Sequence, residues 1–87
     1  MKTGLQIAMY VKEQLVELTR IKADTVSEIK HDELGWHIIV EMIEMKRVPD
    51  STDMLASYDT LSDDDGNLLN FKRIRRYLRG QAMEEES

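Results

Sequence analysis

The feature that most constrains this chain is a series of three strand-like segments between Gly35 and Arg79, separated by short polar turns. The strongest segment is Trp36 to Val48, in which alternate residues form one apolar face: Trp36, Ile38, Val40 and Met42. After Met42 the apolar positions change phase, which predicts a β-bulge between Met42 and Glu44. Such a series indicates an antiparallel meander, with each strand running back along the one before it.

The connections between these strands also fit a meander. Pro49 should end the first strand, because proline restricts the residue before it and cannot donate to a ladder. The polar side chains of Asp50 to Asp53 predict a single capped turn, and Met54 to Leu61 forms the next strand. Asp63 to Asn67 predicts a hairpin turn in which Gly66 takes a positive φ angle. The last strand then runs from Leu68 to Arg79.

Upstream of the meander, the sequence predicts one helix and one edge strand. Thr3 and Gln6 fit a capping box. The helix they begin would turn one apolar stripe inward: Ile7, Ala8, Val11, Leu15 and Leu18. Asp24 to Lys30 alternates weakly and carries much charge, as edge strands often do. We therefore expect an α+β fold, with an N-terminal helix packed on a four-stranded antiparallel β-meander.

Length and composition place narrow limits on this fold. The 87 residues suffice for one domain, which we assign to residues 1–80, followed by a disordered acidic tail at 81–87. There is no cysteine, so a disulfide framework and a thiolate metal site are excluded. The longest aliphatic run is far too short to span a bilayer. These features predict a cytoplasmic protein that does not enter a membrane.

The charges of the chain are unevenly distributed. It contains 12 Lys and Arg residues against 17 Asp and Glu residues, for a net charge of −5. Five of the cations lie between Lys72 and Arg79, so the remainder of the chain carries −10. Segregation of this kind indicates that the last strand is a polar contact surface.

Three interpretations of this basic strand are open. Regular alternation would place Phe71, Arg73, Arg75 and Tyr77 on one face, and Lys72, Ile74, Arg76 and Leu78 on the other. The arginines could pair with acids of neighbouring strands, or they could anchor another protein together with Tyr77. Binding of nucleic acid, with Phe71 and Tyr77 stacking on bases, is the third interpretation, although the acidic pI of about 4.9 opposes it.

The sequence offers little support for catalysis, a metal or a cofactor. Glu41 and Glu44 could form an acid/base pair, but their spacing sends them to opposite faces of a regular strand. We expect them instead to be cross-strand partners of Arg73, Arg75 or Arg76. The two histidines have no zinc-site spacing, and the acidic turn around Gly66 does not fit an EF-hand loop.

From Gly35 onward the chain resembles the gas vesicle synthesis protein O family. The resembling positions follow a specific order: Gly35-Trp36, Val40-Glu41, Ile43-Glu44, Arg47-Val48-Pro49-Asp50, Asp53, Leu55, Tyr58-Asp59, Asp63, Asp65-Gly66, Arg73, Arg76-Tyr77 and Arg79. Val26 and Leu18-Thr19 also fit the family's upstream pattern. The chain departs from the pattern at Asp59, where glutamate is expected, and at Thr60, where an aliphatic residue is expected.

The resemblance implies a non-enzymatic accessory protein, an adaptor or chaperone-like factor, for the assembly of gas vesicles. Its implied partners are other gas vesicle proteins: accessory proteins, the AAA+ ATPase of the same cluster, or shell subunits. A homo-oligomer is a further expectation. The residues that we expect to bind the partner are Lys72, Arg73, Arg75, Arg76, Tyr77 and Arg79, with Leu5, Met9 and Val16 on the helix flank. The alternative is a small nucleic-acid-binding regulator that uses the same strand.

Overall fold

A computed structural model describes residues 2–81 of the chain. One helix, α1 (Gly4–Thr19), precedes four strands, β1 (Lys22–Asp32), β2 (Gly35–Met45), β3 (Met54–Ser62) and β4 (Leu68–Leu78). The strands form one antiparallel sheet in the order β1-β2-β3-β4, so β1 and β4 are its two edges among the described residues. The predicted α+β fold is confirmed. The predicted acidic tail lies outside the described residues except for Gln81.

Helix α1 begins at the predicted capping box and ends at a left-handed residue, Arg20. The Thr3 Oγ1 accepts from the Gln6 backbone N–H at 3.2 Å, and the Thr3 N–H donates to Gln6 Oε1 at 2.9 Å. This reciprocal capping box satisfies two amide donors at the helix start. At the other end Arg20 adopts a left-handed conformation, with φ of 62°, and its N–H donates to the Val16 carbonyl. That geometry terminates the helix and directs the chain into β1.

The hydrophobic core lies between α1 and one face of the sheet. Four helix residues are buried there: Ile7, Ala8, Val11 and Leu15. They pack on alternate residues of β2 and on their β3 neighbours: Ile38, Val40, Met42, Ala56 and Tyr58. We call this the helix face of the sheet. The opposite, or open, face carries the intervening residues, including Ile39 and Glu41 on β2 and Ser57 on β3.

One expected core residue was assigned wrongly. Leu18 fits the apolar stripe by its angle around the helix but is 65% exposed. It lies in the last helical turn, one residue before α1 ends, and the buried cluster stops at Leu15. The last turn of α1 is therefore exposed to solvent, although the apolar period of the sequence continues through it.

The contact between α1 and the β3–β4 turn is fixed by Gln14. Its Nε2 donates to the Gly66 carbonyl at 2.7 Å, and its Oε1 accepts from the Leu68 N–H at 3.0 Å. Gly66 has the predicted positive φ, 91°, and a Cβ there would lie 2.9 Å from Tyr10 Cδ2. Only glycine therefore permits this close approach of the turn to the helix.

The sheet has several register shifts, and two of them decide which side chains of β2 and β4 share a face near the basic residues. The bulge predicted in β2 is present, as a register shift between Ile43 and Met45. A second one, which was not predicted, lies in β4: Arg73 pairs with Tyr58 and Arg75 with Ser57, leaving Ile74 unpaired. The predicted alternation along β4 is therefore wrong, because the extra residue sends Arg73 and Arg75 to opposite faces.

The strand limits also differ from those predicted. Strand β2 ends at Met45 and not at Val48, since the following residues turn away before the proline. Strand β1 is longer than expected, running from Lys22 to Asp32, and it pairs with β2 along its length. Backbone pairing with a strong neighbour extends β1 beyond the part in which its own side chains alternate.

We predict that Gln14→Ala lowers the free energy of unfolding by about 1–3 kcal/mol, since it leaves two polar backbone groups without their partner. Urea denaturation followed by circular dichroism measures this change. The control is Glu17→Ala on the exposed side of α1, which should change stability by less than about 0.5 kcal/mol. Equal stability of the two variants would show that Gln14 does not fix the helix to the turn.

Candidate functional site

Strand β4 is the candidate interaction surface, because it is an edge strand and most of its residues are exposed. The bulge at Ile74 decides which of its cations share a face of the sheet. Arg73 and Arg76 pair with Tyr58 and Ala56 on the helix face, whereas Lys72 and Arg75 pair with Asp59 and Ser57 on the open face. The edge therefore presents positive charge on both of its sides.

On the helix face, the cations of β4 converge on Glu44. Arg73 Nη1 lies 3.1 Å from Glu44 Oε2, and Arg76 Nε lies 2.9 Å from Oε1. The Tyr58 hydroxyl donates to the same carboxylate at 3.3 Å. Burial, followed by the nearby charge of Glu44, raises the pKa of Tyr58. The expected cross-strand pairing of Glu44 with arginines is confirmed, and both guanidinium groups remain about half exposed.

On the open face, Glu41 has a different environment from the one expected. Its side chain is buried, and no Lys or Arg forms an ion pair with it among residues 2–81. Three hydroxyl groups donate to it instead: Ser57 Oγ and Tyr77 Oη, each at 2.6 Å, and Ser27 Oγ at 2.7 Å. The expected arginine partner of Glu41 is wrong, because the bulge and the intervening strand β3 leave serine and tyrosine hydroxyls nearest to it.

The hydroxyl of Tyr77 is held in its protonated form by this arrangement. Burial raises the pKa of Tyr77, and the hydrogen bond to Glu41 and the charge of that carboxylate raise it further. With its pKa raised, the Tyr77 hydroxyl is protonated at neutral pH and can donate to Glu41. Donors of this kind offset the cost of burying a carboxylate that lacks a cation.

Arg79, the residue after β4, forms an ion pair with Asp53, the residue before β3. The Asp53 side chain is fully buried; it accepts from the Arg47 N–H at 2.7 Å and from Lys46 Nζ at 3.1 Å. Arg79 Nε lies 3.4 Å from the same carboxylate, and Arg79 also pairs with Asp24 at 3.3 Å. The Arg47 N–H, followed by Lys46, lowers the pKa of Asp53. Arg79 is therefore engaged in holding the fold together.

Two cations of β4 remain without a carboxylate partner among the described residues. The Arg75 guanidinium lies 4.3 Å from the centre of the Tyr77 ring, a cation–π contact, and forms no ion pair within residues 2–81. Lys72 is exposed and likewise unpaired within that range. Both lie on the open face, so they form the part of the basic strand that is available for an external anion.

A shallow groove runs along the open face beside Arg75. Its volume is about 550 Å³, and its floor includes Glu41, Ser57 and Tyr77. Arg75 and Ile74 form one wall. Side chains of both signs line this groove, so it offers no single-charge pocket of the kind that a metal or a phosphate cofactor needs.

The predicted residues on the helix flank have different exposures. Leu5 is 68% exposed and Met9 is 44% exposed, as a contact surface requires. Val16 is partly buried and packs against the hydrophobic core. The apolar flank that another molecule could reach therefore consists of Leu5 and Met9.

Residues 2–81 hold neither a metal-binding cluster nor a membrane-spanning helix. Residues 2–81 contain no group of three or more His, Asp or Glu side chains placed to hold a metal ion. Within the same residues, α1 is too short and too polar to cross a bilayer.

The chain was also compared with known proteins. The family model described as gas vesicle synthesis protein GvpO matches residues 2–83. Gas vesicle protein O of Streptomyces sp. (strain CB03234) is 45% identical over 79% of this chain and 54% of that protein. Gas vesicle protein O1 of Halobacterium salinarum is 34% identical over 75% of this chain and 50% of that protein. No solved structure matches the chain.

A third relative, gas vesicle protein O of Haloferax mediterranei, is 35% identical over 59% of this chain and 36% of that protein. The chain thus spans about half the length, or less, of the curated relatives it matches.

We predict that Tyr77→Phe lowers the free energy of unfolding by about 1.5–3 kcal/mol, because a donor to a buried carboxylate is lost. Chemical denaturation at neutral pH measures the effect. Tyr10→Phe is the matched control, since the Tyr10 hydroxyl forms no hydrogen bond within residues 2–81 and the side chain is 40% exposed. A similar loss in both variants would contradict the role of Tyr77 in satisfying Glu41.

The lowered pKa of Asp53 predicts acid sensitivity. Its contribution to stability is present above the unfolded pKa, about 3.9, and is lost as the pH falls through the lower folded value. Asp53→Asn should therefore be less stable than the parent at pH 7 and lose less stability between pH 5 and pH 2. Denaturation midpoints at each pH test this. Asp50→Asn, at an exposed position, should retain the parent's pH dependence.

Proposed function

Because the chain belongs to the gas vesicle synthesis protein GvpO family, we propose that it is a non-enzymatic accessory protein of gas vesicle assembly that binds another protein through strand β4. Membership of this family supports a role in gas vesicle synthesis. The geometry of β4 supports protein binding as its mode of action. The partners we propose are other cytoplasmic gas vesicle proteins: accessory proteins, the AAA+ ATPase of the cluster, or shell subunits before assembly.

The observation that carries the proposal is the pair of unmatched cations on the open face. Lys72 and Arg75 have no carboxylate partner within residues 2–81, although the chain as a whole is acidic. A chain with 17 acidic residues could have neutralised them internally. Cations left unpaired on an edge strand are suited to carboxylates of another molecule.

The remaining residues of the predicted site have supporting roles in this proposal. Arg73 and Arg76 are held by Glu44 but are half exposed, and a guanidinium retains further donors after one ion pair. The Tyr77 ring supports Arg75, and Arg79 fixes the end of β4 to Asp53. Leu5 and Met9 add exposed apolar area on α1, whereas Val16 contributes to the core.

The structure weakens the case for a nucleic-acid-binding regulator. Phe71 pairs with Thr60 on the helix face, whereas Tyr77 lies on the open face beside Glu41. The two aromatic rings therefore cannot form one platform on which successive bases stack. A net charge of −5 also repels phosphates at a distance.

We predict that the double variant Lys72→Glu, Arg75→Glu weakens capture of the partner about tenfold or more, because attraction becomes repulsion. Each candidate gas vesicle protein is expressed with a tagged copy of this chain, and the retained amount is measured at increasing salt. The parent complex should weaken as salt screens exposed charges. The matched control is Lys22→Glu, Lys30→Glu, which makes the same charge change on the other edge strand, β1.

Equal capture by both double variants would overturn the proposed site. A salt-sensitive shift of DNA or RNA by the purified parent, lost in the β4 variant alone, would favour the nucleic-acid-binding alternative. Thermal unfolding of each variant confirms that the sheet is intact, as expected for exposed side chains outside any ion pair among residues 2–81.

A further inference from the structure

The backbone of β4 has hydrogen-bonding groups that its sheet does not use. β4 pairs with β3 on one side and has no strand on its other side within residues 2–81. The Leu78 N–H points away from β3, since its acceptor is the Gln81 side chain at 3.4 Å. The next amide, that of Arg79, points toward β3 and donates to the backbone carbonyl of Asp53, the residue before β3 begins. In an antiparallel ladder this direction recurs every two residues, so the Arg76 N–H also points outward.

From this edge we infer that β4 binds an extended, acidic segment of another protein as a fifth strand of the sheet. The inference rests on the proposed function and specifies the conformation and charge of what is bound. Backbone hydrogen bonds along β4 would supply part of the affinity, and side-chain contacts on each face would supply the choice of partner.

The charge of β4 selects an acidic strand. Arg73 and Arg76 flank the edge on the helix face, and Lys72 and Arg75 flank it on the open face. Successive side chains of an added strand point to opposite faces, so carboxylates on either face would meet a cation. This differs from β1, the other edge, whose charges are mixed: Lys22, Asp24, Glu28, Lys30 and Asp32.

The same charge disfavours pairing of β4 with itself. Two copies related by a two-fold axis would place cations opposite cations along both faces, which is destabilising. Basic side chains on an edge protect a sheet from self-association but leave it open to a strand of opposite charge. The bound segment we propose therefore belongs to a different protein.

Exposed apolar side chains of β4, on both faces of the sheet, would pack against the added strand. Ile74 is 49% exposed and lines the groove of the open face. Phe71 is 39% exposed on the helix face, in contact with the Tyr58 ring at 6.3 Å between centroids. A segment that combines acidic residues with β-branched ones fits this edge best.

The probe for the test is a short peptide that alternates glutamate with valine, titrated against the 87-residue chain at low salt. A peptide that alternates lysine with valine is the charge control. We expect binding of the acidic peptide alone, with protection of the Arg76 amide from hydrogen exchange measured by NMR. Binding of the acidic peptide with no change in exchange along β4 would overturn strand addition.

A pair of variants separates the backbone from the charge. Arg76→Ala and Arg76→Pro both remove the guanidinium, but only the proline removes the outward N–H, and an edge position tolerates it. Strand addition predicts that Arg76→Pro binds the acidic peptide roughly tenfold more weakly than Arg76→Ala. Equal affinities, with β3–β4 amides still protected in both variants, would overturn the inference.

Hydrogen exchange measured on the protein without peptide distinguishes other occupants of the β4 edge. Protection of the Arg76 amide that rises with protein concentration would mean that a second copy covers β4. Protection at every concentration would mean that the chain's own residues, such as Glu84 to Glu86, cover it. Either result overturns the inference about a foreign strand.

A different result would contradict the proposed function. If Lys72→Glu, Arg75→Glu leaves capture of every gas vesicle protein unchanged, the binding site on β4 is wrong. If that variant loses capture while Arg76→Pro and Arg76→Ala capture equally, only strand addition is wrong.

Discussion

Among residues 2–81, α1 is the helix that covers the four-stranded sheet, and it covers one face only, which shapes the rest of the structure. Helix α1 has 16 residues, about 24 Å in length, and it buries only the helix face. An antiparallel sheet can leave its second face in water, but the strands there lose the support of a second apolar layer. The open face therefore needs another means of holding its strands together.

Glu41 supplies that means. Its carboxylate on β2 accepts from Ser27 on β1, Ser57 on β3 and Tyr77 on β4, so one side chain connects all four strands. A cation beside Glu41 would also neutralise its charge, but no Lys or Arg forms an ion pair with it among residues 2–81. Hydroxyl groups satisfy the carboxylate instead and leave the arginines of β4 for other contacts.

The sequence predicted the strands and the helix because each has a regular period, and the capping box, the β2 bulge and the turn at Gly66 have local signals. The bulge at Ile74 has none, since the residues around it alternate poorly between apolar and charged. Because of this bulge, Arg73 and Phe71 lie on the helix face and Arg75 and Tyr77 on the open face, whereas regular alternation would place all four on one face. The hydroxyl partners of Glu41 were missed for a related reason, because they depend on the register between strands, which the pattern within one strand does not reveal.

The cations of β4 divide into groups with different consequences for binding. Arg79 is fixed by buried Asp53, and Arg73 and Arg76 share Glu44, so part of their charge is already neutralised. Arg75 rests on the Tyr77 ring, whose hydroxyl is at the same time bonded to Glu41. That contact orients the guanidinium without neutralising it, which reduces the entropy lost when a carboxylate binds. The network that stabilises the open face thus also positions Arg75, the cation on which the proposed binding site depends.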